Sequence, residues 1–210
     1  MIRVLIADDH AVVREGIKRI LADTEDISVR GEAVDGPELL SMAAQGDWDV
    51  ILMDLSMPGT SGLDALQQIR EQNPELPILV LSIHPEDQYG VRALTAGASG
   101  YIQKTSPPSD LVQAIRTVAD GRRYVTPAVA SALASRVDRL SPKLPHERLS
   151  NREFQVMCLI ASGKSVGDIA RELSLSVKTV STFRGRILEK LQLRHNAEIT
   201  SYAIRHGLVE

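Results

Sequence analysis

The sequence predicts an α/β doubly wound (βα)5 domain followed by a small all-α helix-turn-helix domain. Three observations carry this reading. Up to about residue 125, short apolar runs rich in Val, Ile and Leu alternate with amphipathic stretches of helical period, the pattern of parallel strands buried on both faces and of the helices that cover them. From 126 to 147 the pattern loosens into Ala and Ser repeats and then LSPKLPHERL, whose prolines interrupt any helix. From 148 to 210 the periodicity is helical, with no convincing strand.

The first strand, Ile2 to Ala7, is an apolar run that breaks at two acids, and the helical stretch Val12 to Leu21 follows it. Ser28 to Ala33 with Pro37 to Ala44 forms the second βα unit, and Val50 to Met53 with Gly62 to Gln72 the third. Ile78 to Leu81 leads into Asp87 to Ala96, and Tyr101 to Gln103 into Leu111 to Ala119. The segment 126–147 reads as a linker with helical character in its first part. The last domain divides into Asn151 to Ala161, Val166 to Leu173, Val177 to Leu191 and Asn196 to His206. Ser165, with Asp168 three residues on, and Ser176 are placed as N-caps.

The 210 residues are 43% apolar and 24% charged, which excludes a mainly disordered or fibrous chain. No apolar run approaches the roughly 18 residues of a membrane span, and the opening MIRVLIADDH turns acidic where a signal peptide would stay apolar. A cytoplasmic protein with no membrane partner is expected. The single cysteine, Cys158 in FQVMCLIA, excludes an internal disulfide and reads as a buried small apolar residue. The net charge of −3 conceals an asymmetry: residues 1–125 carry 19 acids and 11 bases, residues 126–210 carry 8 acids and 13 bases. An acidic half suits a metal ion and a basic half suits a polyanion.

Ligands of open parallel sheets bind beyond the carboxyl ends of the strands. Here the first strand ends in Asp8 and Asp9, the third in Asp54, the fourth in Ser82 and the fifth in Lys104. Acids after strands also serve as helix caps, but three carboxylates, a hydroxyl and an ammonium converging on one edge form a specific set. Two carboxylates 5 Å apart repel by about 3 kcal/mol at an effective dielectric of 20, so the cluster calls for a cation. Mg2+, hard and oxygen-seeking, is the natural one. Asp54, between a metal and Lys104, is placed to attack a phosphoryl group and become an acyl phosphate. A haloacid-dehalogenase-type phosphohydrolase is the rival reading, but its chemistry needs a second Asp where this chain has Ser56.

These residues resemble the receiver domains of two-component response regulators. The likeness is carried by DDH at Asp8 to His10, MDLSMPGTSG from Met53 to Gly62, LVLS ending at Ser82 and GYIQK ending at Lys104. It implies a phosphoacceptor domain over 1–125 in which Asp54 is phosphorylated by a sensor histidine kinase and dephosphorylates itself. Asp8 or Asp9, Asp54 and the backbone carbonyl of Ser56 would bind Mg2+, and Lys104 would contact the phosphoryl group. Ser82 would move toward the phosphate while Tyr101 changes rotamer behind it. Thr105 stands where many relatives have proline. His10 and His84 flank the site, and with no second histidine at ligand spacing each reads as a polar rim residue.

In the last domain only Ser174 to Ser176 separates the second and third helical stretches, which fits a helix-turn-helix. Ile169, Ala170, Leu173 and Val180 are expected to pack the two helices together. At 100° per residue, Val177, Val180, Ile187, Leu188 and Leu191 form an apolar stripe, while Lys178, Thr182, Gly185 and Arg186 face away with Ser181 at the edge. Arg184 falls on the stripe, from which it could snorkel to a phosphate. The segments LSNREFQV, IASGKSVGDIARELSLSVKTVSTFRGRILEKL and AEITSYAIRHGL resemble the DNA-binding domain of LuxR and NarL/FixJ regulators. The resemblance spans nearly all of 148–208 and implies double-stranded promoter DNA as partner, with Lys178, Thr179, Ser181, Thr182 and Arg186 as DNA contacts and Glu153 structural. Many relatives carry Lys and His where this chain has Ser181 and Phe183, so their base preference does not transfer. The whole implies a phosphorylation-controlled transcription factor acting as a homodimer on DNA, with RNA polymerase as a further partner to consider. Phosphorylation could act by favouring dimers or by freeing the recognition helix; a constitutive DNA binder that uses its receiver only for assembly is the other reading.

Overall fold

The computed structural model describes residues 1–57, 60–137 and 144–209. Pro58 and Gly59 of the MDLSMPGTSG motif, and 138–143 of the expected linker, lie outside the described residues. The chain divides into two compact units, Met1–Asp138 and Arg139–Glu210.

In the first unit β1 (Ile2–Ala7), β2 (Ile27–Ala33), β3 (Val50–Met53), β4 (Ile78–Ser82) and β5 (Gly100–Gln103) form a parallel sheet in the order β2-β1-β3-β4-β5. The chain moves outward from β1 to β2, then crosses to the other side of β1 and continues through β3 to β5. The carboxyl ends of β1 and β3 therefore flank the point where the winding reverses, where crossovers leave a crevice. Helices α1 (Ala11–Ala22), α2 (Gly36–Gln45), α3 (Gly62–Gln72), α4 (Val91–Thr95) and α5 (Pro108–Ala119) cover the sheet. Val4, Ile6, Val50, Leu52, Leu79, Leu81 and Ile102 form one core with Ile17 and Leu21 of α1 and Leu111, Ala114, Ile115 and Val118 of α5. On α2, Asp35 caps the helix by accepting from the Glu38 N–H, and Pro37 occupies its first turn.

Two expectations are revised. The single helix anticipated over Asp87 to Ala96 is a π turn, Glu86–Gly90, followed by the short α4. The wider turn brings the Tyr89 ring onto His84, centroids 4.2 Å apart. The helical character expected at the start of 126–147 is a helix α6 (Pro127–Val137), but it belongs to the first unit and not to a linker. It docks because Val129 is buried against the π turn, where a Cβ on Gly90 would meet Val129 Cγ2 at 2.7 Å, and because the Thr126 hydroxyl donates to Glu86.

The second unit is helical: a 3-10 turn, Pro145–Arg148, then α7 (Asn151–Ala161), α8 (Val166–Glu172), α9 (Val177–Leu191) and α10 (Asn196–Arg205). α7 packs on α9 and α10, and α8 packs on α9. Phe154, Met157, Ile160, Ile169, Leu173, Val180, Ile187, Leu191, Ile199 and Ala203 fill its core. Ser150, Ser165 and Ser176 each accept a hydrogen bond from the backbone N–H three residues on, so serines start three of the four helices. Between α8 and α9, Ser174 takes a left-handed conformation, φ 53°, which makes the turn sharp. Among the described residues no helix is long and apolar enough to cross a membrane.

Candidate functional site

β1 pairs with β3 so that Ala7 lies opposite Met53, and the next residue of each strand is an aspartate. The Asp54 N–H donates to the Ala7 carbonyl (2.8 Å) and the Asp8 N–H to the Ala33 carbonyl (3.1 Å), which fixes both acids at the sheet edge. On the other side the Lys104 N–H donates to the Ser82 carbonyl at 2.8 Å. The sheet thus gathers Asp8, Asp54, Ser82 and Lys104, each on its own strand end, as the sequence predicts.

Lys104 Nζ lies 2.7 Å from Oδ2 of Asp8 and 2.7 Å from Oδ2 of Asp54, and both aspartate side chains are only 2% exposed. Oδ1 of Asp54 is buried and makes no hydrogen bond. Burial raises the Asp54 pKa; Lys104 opposes that by its charge and hydrogen bond, and Asp8 reinforces it. Burial pulls the Lys104 ammonium down, but Asp54 and Asp8 outweigh it and the net shift is upward. One ammonium between two carboxylates cannot satisfy both, so the carboxylates hold residual negative charge with one oxygen facing no partner.

Asp9 is more exposed, and its Oδ1 stands 2.8 Å from His10 Nδ1. The His10 N–H donates to Asp8 Oδ1 (2.9 Å), and Arg14 Nη1 donates to the Asp8 carbonyl (2.7 Å) while Arg14 Nε holds Glu32. One donor atom from each of Asp8, Asp9, His10 and Asp54 lies within 4.8 Å of the others. The residues fit a hard divalent cation: three carboxylates against one ammonium leave two negative charges, Asp54 Oδ1 lacks a partner, and the exposure of Asp9 admits the waters that Mg2+ retains. The chain after Asp54 folds back tightly on α3, since a Cβ on Gly62 would sit 2.5 Å from Leu55 Cα.

Ser82 is fully buried and its Oγ accepts from the His84 N–H at 3.3 Å. Tyr101 is buried too, its hydroxyl donating to the His84 carbonyl at 2.8 Å. His84 Nε2 stands 3.3 Å from Ser56 Oγ. Sequence reasoning set His84 at the rim; the structure makes it the residue that touches Ser56, Ser82 and Tyr101 at once. Its place two residues after Ser82 was the only signal available.

On the second unit, Lys178, Ser181, Thr182, Gly185 and Arg186 are exposed along α9. Thr179 is half-buried and engaged in the cap: its N–H donates to Ser176 Oγ (3.0 Å) and the two hydroxyls are 2.8 Å apart. Two expectations change. Val177, the first helical residue, is not part of the buried stripe but 57% exposed. Arg184, instead of snorkelling outward, donates through Nε to Asn196 Oδ1 at the start of α10. Glu153 closes a capping box with Ser150 and accepts from Lys190 of α9 at 2.6 Å, which ties α7 to the far end of α9.

Comparisons with known proteins divide the chain in the same way. Residues 4–116 match the response regulator receiver domain, and residues 147–203 match the bacterial regulatory proteins of the luxR family. The chain is 41% identical to the response regulator UvrY of Escherichia coli strain K12 over 209 residues, 99% of this chain and 96% of that protein. It is also 41% identical to the response regulator GacA of Pseudomonas protegens over 210 residues, 100% of this chain and 99% of the relative. Among solved structures it is similar to RcsB of Salmonella enterica serovar Typhimurium bound to promoter rprA in the presence of the phosphomimetic BeF3−. That likeness has a TM-score of 0.66 at 29% identity and covers 96% of this chain and 97% of the other.

Proposed function

This chain belongs to the response regulators that join a receiver domain to a luxR-type DNA-binding domain, and from that premise we propose how its own residues carry the signal. The donor is a phosphorylated histidine of a sensor kinase. Asp54 attacks through Oδ1; the P–N bond breaks, its electron pair stays with the donor imidazole, and Asp54 becomes an acyl phosphate. Lys104 then turns from Asp54 Oδ2 to an oxygen of the phosphoryl group, and the Ser82 hydroxyl donates to another. Asp8 or Asp9, Asp54 and the Ser56 carbonyl would hold Mg2+, which would supply neutralisation of the phosphoryl charge. Beyond phosphoryl acceptance and self-dephosphorylation at Asp54, the reading assigns the chain no catalysis.

When Ser82 turns, it leaves the His84 N–H, and the His84 carbonyl that anchors Tyr101 loosens with it. The switch therefore runs from Ser82 through the His84 backbone to Tyr101. At the other end, α9 enters the major groove of promoter DNA. Lys178 and Arg186 hold phosphates, and Ser181 and Thr182 face base edges, with Thr179 serving the cap. Two copies bind adjacent half-sites, because one small helix-turn-helix makes few contacts and linkage raises effective concentration. The regulator works in the cytoplasm, where promoter DNA is reached, and its occupancy acts on RNA polymerase there.

The observation that carries the reading is the division of labour in one buried carboxylate: Oδ2 of Asp54 is held by Lys104 and Oδ1 has no partner. Intact-mass analysis after incubation with acetyl phosphate and Mg2+ tests it. The parent gains one phosphoryl group and Asp54→Asn gains none; equal labelling of the two, or no labelling of the parent, overturns it. A mobility-shift assay with and without phosphodonor then distinguishes a controlled DNA binder from a constitutive one.

A further inference from the structure

The metal site as read above is all oxygen, and the next step rests on that reading. His10 stands closer to it than a rim residue needs to. Its Nδ1 is 2.8 Å from Asp9 Oδ1 and 3.3 Å from Asp8 Oδ1, and it joins Asp8, Asp9 and Asp54 in a group whose donor atoms all lie within 4.8 Å of one another. Two donors on one ion at about 2.1 Å each stand at most about 4.2 Å apart, so modest side-chain rotation gathers the group. Independently of the clustering, Asp54 is 3% exposed and its Oδ1 has no partner. His10 is the N-cap residue of α1, yet its side chain makes no capping bond; nothing in the helix employs the imidazole.

We infer that His10 is a nitrogen ligand of this site, so that the receiver takes borderline divalent ions such as Co2+, Ni2+ or Zn2+ through one imidazole and the carboxylates, alongside Mg2+ through oxygens alone. Hard Mg2+ gains little from an imidazole, whereas later first-row ions bind nitrogen well. The coordinating lone pair would be that of Nδ1, which leaves the ring proton on Nε2 of a side chain 64% exposed.

Isothermal titration of the full chain with Mg2+ and with Co2+ tests this in the parent, His10→Ala and His10→Asn, with Asp54→Asn as the control for the site. Asparagine is a favoured N-cap, so a loss in that variant is not a folding defect. Loss of an outer partner alone weakens metal sites by about 10–100-fold, and His10 is such a partner to Asp9 for either ion, so Co2+ affinity should fall at least about tenfold more than Mg2+ affinity in both His10 variants. Mg2+ should compete with Co2+ in the parent, and the visible absorption of bound Co2+ should shift in His10→Ala. Equal Co2+ affinity in all His10 forms overturns the inference, as does Co2+ binding that Mg2+ does not displace or a Mg2+ affinity that falls as much as the Co2+ affinity does. A parent that binds neither ion overturns the metal reading beneath it as well.

Discussion

Replacing Lys104 by Met removes the ammonium that stands 2.7 Å from both Asp8 and Asp54 while keeping most of the aliphatic stem. The two carboxylates, each 2% exposed, then face one another without a counter-ion. Breaking a buried pair by removing one partner costs about 3–5 kcal/mol. A second route to the magnitude is neutralisation. Protonating an ordinary Asp at pH 7 costs about 4 kcal/mol, from 1.36 kcal/mol per unit above a reference pKa of about 3.9. The cost is smaller here, because burial already raises the proton affinity of Asp54. Both routes give a loss of about 3 kcal/mol near pH 7 without divalent cation. Added Mg2+ meets three uncompensated carboxylates in the variant, Asp9 included, and a net two negative charges in the parent, so it stabilises the variant more. Trp48 is the only tryptophan and lies in the first unit, so urea unfolding followed by its fluorescence reads that unit alone. Equal midpoints for Lys104→Met and parent in metal-free buffer, or equal gains from Mg2+, would refute the reasoning that Lys104 is the internal counter-ion.

Gly62→Ala puts a Cβ 2.5 Å from Leu55 Cα, so the loop carrying Asp54 must shift; a loss of about 1–3 kcal/mol and slower phosphoryl uptake are expected, and wild-type labelling rates would contradict this. Glu153, nearly buried, has a pKa that burial pushes up but that Lys190 and Ser150 together hold below the usual range. Because the folded value is the lower one, its stabilisation is complete above the unfolded pKa of about 4.3 and is lost as pH falls through the folded value. Hydrogen exchange of α7 and α9 amides in Glu153→Gln should therefore depend less on pH in that acidic window than in the parent, and identical profiles would count against the Lys190 tie. Lys178→Ala and Arg186→Ala, both on the exposed face of α9, should each weaken DNA binding and lower the salt slope by about 0.9. Binding curves that superimpose at every salt concentration would remove those residues from the interface.

What the sequence made legible, and what it hid, follows from how many chain segments fix each residue. Asp8, Asp54, Ser82 and Lys104 were readable because each closes a run that reads as a strand, and a parallel sheet of the order β2-β1-β3-β4-β5 brings those ends to one edge whatever the loops do. Serine caps were readable for the same reason: Ser165 and Ser176 act on an N–H three residues away. Helical character at the start of 126–147 was readable as well, but the docking of α6 was not, since its place depends on Val129 meeting Gly90 thirty-nine positions earlier in the chain, and an Ala- and Ser-rich stretch carries no local mark of that contact. Arg184 misled for a related reason. Periodicity put it on the apolar stripe, while its partner, Asn196, stands beyond the end of α9, at the start of α10. Val177 shows the limit in reverse: the period gives a direction around the helix and does not say whether another element lies there to bury the side chain. His10 combines both difficulties. Its backbone belongs to a local cap, and its side chain acquires meaning only once β3 sets Asp54 beside it, so adjacency to Asp8 and Asp9 in the sequence could not tell a rim residue from a ligand.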